Sequence, residues 1–352
     1  MPYPELELTL PYITEGIPGI GGEIKKKPKH FIVEEIPLYE PEGSGQHLYV
    51  NITKINMTTR EVQEKLADLF ELPTHHIGHA GLKDKNAVTT QNFSILLQNE
   101  IRSIEKLEKL IEKNIGVKVN WAKYHRNKLR TGHLLGNRFK ITIVDLEQDF
   151  KDIYESADKI TKKIHMIGLP NFYGEQRTGE EGDNIISGWE ILNGKKWITN
   201  KWLRRYLISC YQSYLCNRYL TLRIERGLFK RILNGDIAKK HDTGGIFLVD
   251  NPANAQKRFD DKEISFTAPI YGYKMTGALH DSRKIEDEVL DRSSVSMEHF
   301  RKHRVTGTRR LGRILPNITF KKAAEGIELE FELPKGSFAT ILLSEYMKKK
   351  SD

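Results

Sequence analysis

Three segments far apart in the chain alternate apolar and polar residues with a period of two. Leu48, Val50 and Ile52 face one way, and Tyr49, Asn51 and Thr53 the other. Phe139, Ile141 and Ile143 oppose Lys140 and Thr142, and Ile327, Leu329, Phe331 and Leu333 oppose Glu328, Glu330 and Glu332. Successive side chains of a strand point to opposite faces, so this pattern predicts half-covered strands. Shorter strand candidates are 31–35, 93–97 and 117–121. Helical spacing interleaves with them. Thr58 and Glu61 form a capping box ahead of Val62, Leu66, Leu69 and Phe70. Residues 103–114 and 152–167 continue the helical period, and 199–226 is a longer helix with Trp202, Tyr206, Cys210, Tyr214 and Leu215 on one stripe. The class that follows is α+β, with a mixed or antiparallel sheet flanked by helices. The terminal segments share that sheet, and the helix- and loop-rich stretch 168–305 lies between them. The expected domains are therefore a discontinuous one, 1–167 with 306–352, and an inserted one, 168–305.

A chain of 352 residues has room for two domains or one with a large insertion. No run approaches 18 apolar residues, so no membrane helix is predicted. The opening MPYPELELTL lacks the pattern of a secretory signal, and two cysteines, Cys210 and Cys216, make no disulfide framework. A protein of the reducing cytoplasm is expected. The formal charge of +9 is less telling than its distribution. Residues 123–140 hold Lys123, Arg126, Lys128, Arg130, Arg138 and Lys140 without an acid, and residues 301–313 hold Arg301, Lys302, Arg304, Arg309, Arg310 and Arg313, again without one. Two such runs suit a phosphate-binding face if the fold joins them, and suit two solvated surface stretches if it does not.

Nucleotide-binding motifs are absent: there is no GxxxxGK[ST], and the glycines of GIPGIGG do not fit GxGxxG. His75 and His79 are spaced i, i+4, but neither HExxH nor CxxC accompanies them, and they read as polar loop histidines rather than metal ligands. The distinctive string is HAGLKDKNAVTTQ, residues 79–91. Gly78 and Gly81 would permit a tight turn. In extended geometry Lys83 and Lys85 would share a face and Asp84 would point away from both. On composition alone, Asp84 reads as a turn residue or helix cap.

The ordered motifs of the chain resemble those of the TruD family of tRNA pseudouridine synthases. GLKDKNAVTTQ resembles the family's central G-x-K-D-[KR]-x-A-x-T-x-Q. KKKPKHFIVEEI (25–36) resembles its first block, with His30 where Asp is usual, and LGNRF (135–139) its G-N-x-F segment. LPNFYGEQRTG (169–179) resembles V-P-N-Y-F-G-x-Q-R-F-G, with Phe172 and Tyr173 exchanged in type and Thr178 in place of Phe. GTRR (307–310) and LPKGSFAT (333–340) resemble its closing blocks. The blocks span 25–346, and 180–300 is weakly matched apart from the helix near 202–224.

The resemblance implies a pseudouridine synthase fold with an inserted TruD-type α/β domain. It also implies isomerisation of a uridine in tRNA, most commonly uridine 13, with neither cofactor nor metal. The catalytic aspartate maps onto Asp84. A carboxylate suits the chemistry, because breaking the glycosidic bond builds positive charge at the anomeric carbon. It can stabilise that charge, attack it, or take the C2′ proton. Lys25 would be the cation beside it, Phe139 the ring stacking on the flipped uracil, and Asn137 a nearby hydrogen-bonding group. Phe31 and Glu35 complete the substrate-binding set. Lys25 also reads as one of a solvated lysine run, Phe139 as the first core residue of its strand, and Phe31 and Glu35 as purely structural. Lys128, Arg130, Arg177, Arg309 and Arg310 are the expected RNA contacts, with Gln176 and Arg177 near the domain junction. The expected partner is tRNA; no membrane or protein partner is required and the protein would act as a monomer. Two other readings remain: a non-catalytic RNA-binding protein on the same fold, and a nucleoside or glycan hydrolase. The second normally needs two carboxylates and would release free uracil.

Overall fold

A computed structural model describes residues 6–97, 103–179 and 181–348, the side chain of Gln176 excepted. It divides into two compact units, one of residues 20–157 with 317–336 and one of residues 6–19, 158–316 and 337–348. These units differ from the expected 1–167/306–352 and 168–305 division. Residues 6–19, 158–167, 306–316 and 337–348 pack with the latter segment.

The first unit is built on an eight-stranded mixed sheet. Its early strands are β1 (Phe31–Pro37), β2 (His47–Ile55), β3 (Ile77–His79), β4 (Val88–Leu96), β5 (Lys118–His125) and β6 (Leu134–Val144). A hairpin of Ile318–Ala323 and Gly326–Pro334 completes it. The order is hairpin, β6, β1, β4, β2, β5, with β3 on β4. Only the β1–β4 pair is parallel. The segment 326–334 pairs with all of β6, from Gly326 opposite Val144 to Pro334 opposite Gly136. A Cβ on Gly136 would lie 2.2 Å from the Leu333 carbonyl oxygen, so this close pairing requires glycine.

Register decides which residues share a face. Val33 lies opposite Phe139 and Thr89, Glu35 opposite Asn137, Phe331 opposite Phe139, Ile52 opposite Gln91 and Lys54 opposite Thr89. Phe31, Glu35, Asn137, Phe139, Gln91 and Lys54 thus project from one side. The far half of that side is covered by α1 (Thr59–Leu69) and α2 (Ile104–Ile115). Val62, Leu66, Leu107 and Ile111 pack there on Leu48, Val50, Ile52, Phe93 and Ile95. The capping box at Thr58 is present in full. The opposite face is charged toward the hairpin, but β2 is covered there too. Tyr49 clusters with Ala80, Leu129 and Leu134, so the wet face expected of β2 is partly buried.

In the second unit the helix Lys201–Glu225 is buried along 207–223. It packs beside a four-stranded sheet ordered Thr308–Leu311, Ile264–Ile270, Ile237–Lys240, Ile246–Leu248. Arg223 and Asp236, both fully buried, form an ion pair at 2.7 Å. Trp202, on one stripe with Tyr206, Cys210, Tyr214 and Leu215, is 71% exposed, because the helix enters the core only at Leu207.

Leu66→Ala should cost about 2–5 kcal/mol, since the side chain is fully buried between helix and sheet. Thr58→Ala should cost about 1 kcal/mol through loss of the cap. Urea unfolding of both variants checks this, and equal losses would contradict the packing described.

Candidate active site

The loop between β3 and β4 is fixed to the sheet at successive points. Gln91 Nε2 donates to the Gly81 carbonyl at 3.1 Å, and its Oε1 accepts from Thr59 Oγ1 at 2.8 Å. The same hydroxyl accepts from the Lys83 amide at 2.9 Å. Lys83 Nζ lies 2.9 Å from Glu35 Oε2, with both side chains almost completely buried. Lys54 Nζ donates to the Asp84 carbonyl at 3.2 Å and to the Met57 carbonyl. These contacts hold the loop backbone on both sides of Asp84 and leave its carboxylate half-exposed.

That carboxylate faces Lys25, whose Nζ stands 3.1 Å from Asp84 Oδ1. The ammonium also sits 4.2 Å from the Phe31 ring centroid. Lys25 has φ +62°, a left-handed conformation unfavourable to a side chain with Cβ. Such strain persists where surrounding contacts impose it, and here the ion pair and the ring contact do so. The flanking lysines turn elsewhere. Lys85 is exposed and 3.8 Å from Glu61, while Lys83 is enclosed, so the shared face expected of them is not formed. The loop is not extended. Neither Gly78 nor Gly81 takes a positive φ. Gly78 is needed for another reason, since a Cβ there would meet the Leu129 carbonyl at 2.2 Å.

Beside this pair lies an aromatic series. Phe31 meets Phe139 edge-on with centroids 6.4 Å apart, and Phe139 stacks on Phe331 at 5.2 Å and 21°. Phe139 is 7% exposed, so most of its surface packs within the unit. Asn137 Oδ1 is buried and has no hydrogen-bond partner among the described residues, which makes it a ready acceptor. Glu35 is committed to Lys83 and to the Asn92 amide, 3.3 Å away. His30, where the family block has Asp, is buried with Nε2 2.7 Å from Glu325. Lys29, Lys27 and His30 together bring the Glu325 carboxyl down to about 2.

The expected RNA contacts fall into different environments. Arg130 is exposed with no ion pair among the described residues. Lys128 reaches the His75 carbonyl. Both line a cavity of about 520 Å³ with Tyr39, His125 and His133, and a second of about 260 Å³ with His75 and His79. The rest of that basic run is largely answered by carboxylates. Arg126 meets Glu42, Arg138 meets Glu34 and Glu332, and Lys140 meets Glu328 and Glu330.

In the second unit Arg177 bonds Ser209 Oγ at 3.0 Å and lies over Tyr173 and Tyr206. Arg310 donates to both oxygens of Asn171 and sits 4.0 Å over Tyr173. Arg309 is placed otherwise than expected. Its side chain is 2% exposed and its guanidinium is taken up by Glu286 at 2.5 Å and by Thr267, so it supports the fold instead of facing a phosphate.

Lys54 escaped the sequence reading. Its signal was its place two residues beyond Leu48, Val50 and Ile52 on the core face. Burial lowers its ammonium to about 8, with the Asp84 charge opposing that shift. In the unfolded chain it titrates near the ordinary lysine value, so between these two pH values the unfolded state binds more protons and stability from this group rises with pH. Removing the amine in Lys54→Met should flatten the stability–pH curve above pH 8. Denaturant midpoints at pH 8, 9 and 10 check this, and parallel curves for variant and parent would contradict it.

A family model for tRNA pseudouridine synthase D (TruD) matches residues 7–197 and 198–346. The chain is 45% identical over 339 residues to tRNA pseudouridine synthase D of Thermus thermophilus, covering 96% of this chain and 92% of that one. It is 34% identical to the protein of that name from Anaeromyxobacter dehalogenans, with 97% of each covered. The TruD crystal structure from Methanosarcina mazei superposes with a TM-score of 0.77 at 26% identity, over 97% of this chain and 96% of that one. With the family model matched over almost the whole chain and relatives 34% and 45% identical along it, the chain belongs to the tRNA pseudouridine synthase D (TruD) family.

Proposed function

We propose that this protein isomerises one uridine of tRNA, uridine 13, to pseudouridine, with Asp84 as the catalytic group and no cofactor. The observation that carries the reading is the presentation of the Asp84 carboxylate on a pinned loop, 3.1 Å from Lys25. The reaction breaks the N1–C1′ bond, turns the uracil over and joins C5 to C1′; the C5 proton is lost and N1 is reprotonated, so mass is conserved. A fixed carboxylate supports the cationic anomeric carbon, by attack or by electrostatics, or removes the C2′ proton. Lys25 compensates the charge of the waiting carboxylate. The unpartnered Asn137 oxygen supports a role in accepting a hydrogen bond from the extruded base. Phe139 would offer an aromatic wall through the small part of its ring left uncovered, backed by Phe31, which is 2% exposed. The unit of residues 20–157 with 317–336, which carries Asp84, would supply the catalytic domain, and the segment 168–305 would select the target. The protein would act in the cytoplasm as a monomer.

Asp84→Asn keeps shape and removes charge. It should yield no pseudouridine in a nucleoside digest of treated tRNA, while tRNA affinity changes less than about twofold. Product formation above a trace would remove Asp84 from the mechanism, and release of free uracil by the parent would turn the reading toward hydrolysis.

Arg130 and Arg309 should separate by salt dependence. Arg130→Ala should lower the slope of log affinity against log salt by about one. Arg309→Ala should leave that slope alone and cost about 3–5 kcal/mol of stability, because it strands the buried Glu286. The reverse pattern would contradict both placements.

A further inference from the structure

Residues 195–206, KKWITNKWLRRY, hold five cations and no acid, a third basic run in the chain. They enter the long helix Lys201–Glu225, whose first turn also lacks an acid. Cations at a helix N-terminus oppose the macrodipole, so this placement is not explained by helix stability. Asn200 Oδ1 caps the end, accepting from the Trp202 and Leu203 amides. Two tryptophans stand in the run, Trp197 at 77% and Trp202 at 71% exposure.

The rings are ordered against partners. Arg204 lies 5.5 Å from the Trp197 centroid. Trp202 is stacked on Tyr206 at 5.5 Å and 3°. The series continues inward, with Arg177 5.7 Å from Tyr206 and 5.9 Å from Tyr173. Lys201 and Arg205 are exposed and have no ion pair among the described residues. A flat, exposed ring held parallel to a second ring, with free cations on either side, has the chemistry that takes up unpaired nucleotides: π-faces for bases and positive charge for phosphates. A membrane-docking helix would instead show a continuous apolar stripe; here the helix beyond Leu207 is enclosed by protein and Lys201, Arg204 and Arg205 interrupt its exposed start.

We propose that Trp197 and Trp202 form a stacking surface for unpaired nucleotides of the RNA substrate, with Lys201, Arg204 and Arg205 as its phosphate contacts. The inference rests on the reading that this chain acts on tRNA.

The test titrates the full-length chain and the double variant W197A/W202A with tRNA and with a single-stranded oligouridylate. Tryptophan fluorescence, filter binding at several salt concentrations and pseudouridine yield are followed in the same samples. RNA should quench the parent's fluorescence. The double variant should bind each RNA roughly 5- to 150-fold more weakly per stacked base. Its salt slope should be unchanged, since a neutral ring displaces no counterion, and its melting temperature should hold because both rings are exposed. Equal affinity of parent and variant, with the parent still modifying tRNA, would overturn the stacking surface alone. A parent that neither binds nor modifies tRNA would overturn this inference together with the proposed activity. Binding to phosphatidylserine–phosphatidylcholine vesicles that is lost in the double variant, with RNA affinity intact, would assign the rings to a membrane surface and also overturn it.

Discussion

The enclosed ion pair between Lys83 and Glu35 constrains where Asp84 can be. Glu35 is fixed by its strand, on the face shared with Asn137 and Phe139. Once Lys83 must reach it, the next residue is thrown to the open side of the loop. The Thr59 and Gln91 bonds set the approach, and the Lys54 ammonium holds the carbonyl of Asp84 itself. Burying two charges is costly unless geometry and neighbours compensate. Here the return is positional: a carboxylate whose backbone is fixed on both sides, with a strained Lys25 brought against it. Catalysis by a fixed charge depends on placement more than on the identity of the residue alone.

Charge in this protein is arranged across strands, not along the chain. The run 123–140 contains no acid in sequence, yet on the sheet Arg138 lies between Glu34 and Glu332, and Lys140 beside Glu330. Cations with no ion pair among the described residues include Arg130 in a loop, Lys123 on a strand, and Lys201 and Arg205 at a helix start. Positive charge available to a polyanion is therefore a smaller set than the formal count suggests, and its position is a property of the fold.

Much of the architecture was legible because the physics is local. Period-two alternation located β2, β6 and the strand 326–334, and Thr58 with Glu61 located the start of α1 almost to the residue. The motif around Asp84 was legible as a resemblance, and its first-block partner Lys25 does lie against it in space. Depth was not legible. Arg309 reads as surface in a basic run, but its enclosure depends on Glu286 and Thr267, 23 and 42 residues away. Trp202 continues a helical apolar stripe past the point where the core ends, and periodicity carries no information about that end. The unit boundaries differ from the expected domains for a related reason: strands mark their partners by pattern, whereas the helices 150–167 and 339–347 do not announce which unit covers them.

The buried Lys83–Glu35 pair beneath the loop holds Asp84 in its presented position. The direct measurement is the single-turnover rate of pseudouridine formation at saturating tRNA for the double variant Glu35→Leu, Lys83→Met. Replacing both partners by apolar groups leaves no stranded charge, and only the Asn92 amide loses an acceptor, so the melting temperature should fall far less than for either single variant. With the loop freed and the Asp84 side chain untouched, the rate should fall on the order of 100-fold, as expected for a catalytic group displaced by about 1 Å. A double variant that folds normally and turns over at the parent rate would contradict the claim.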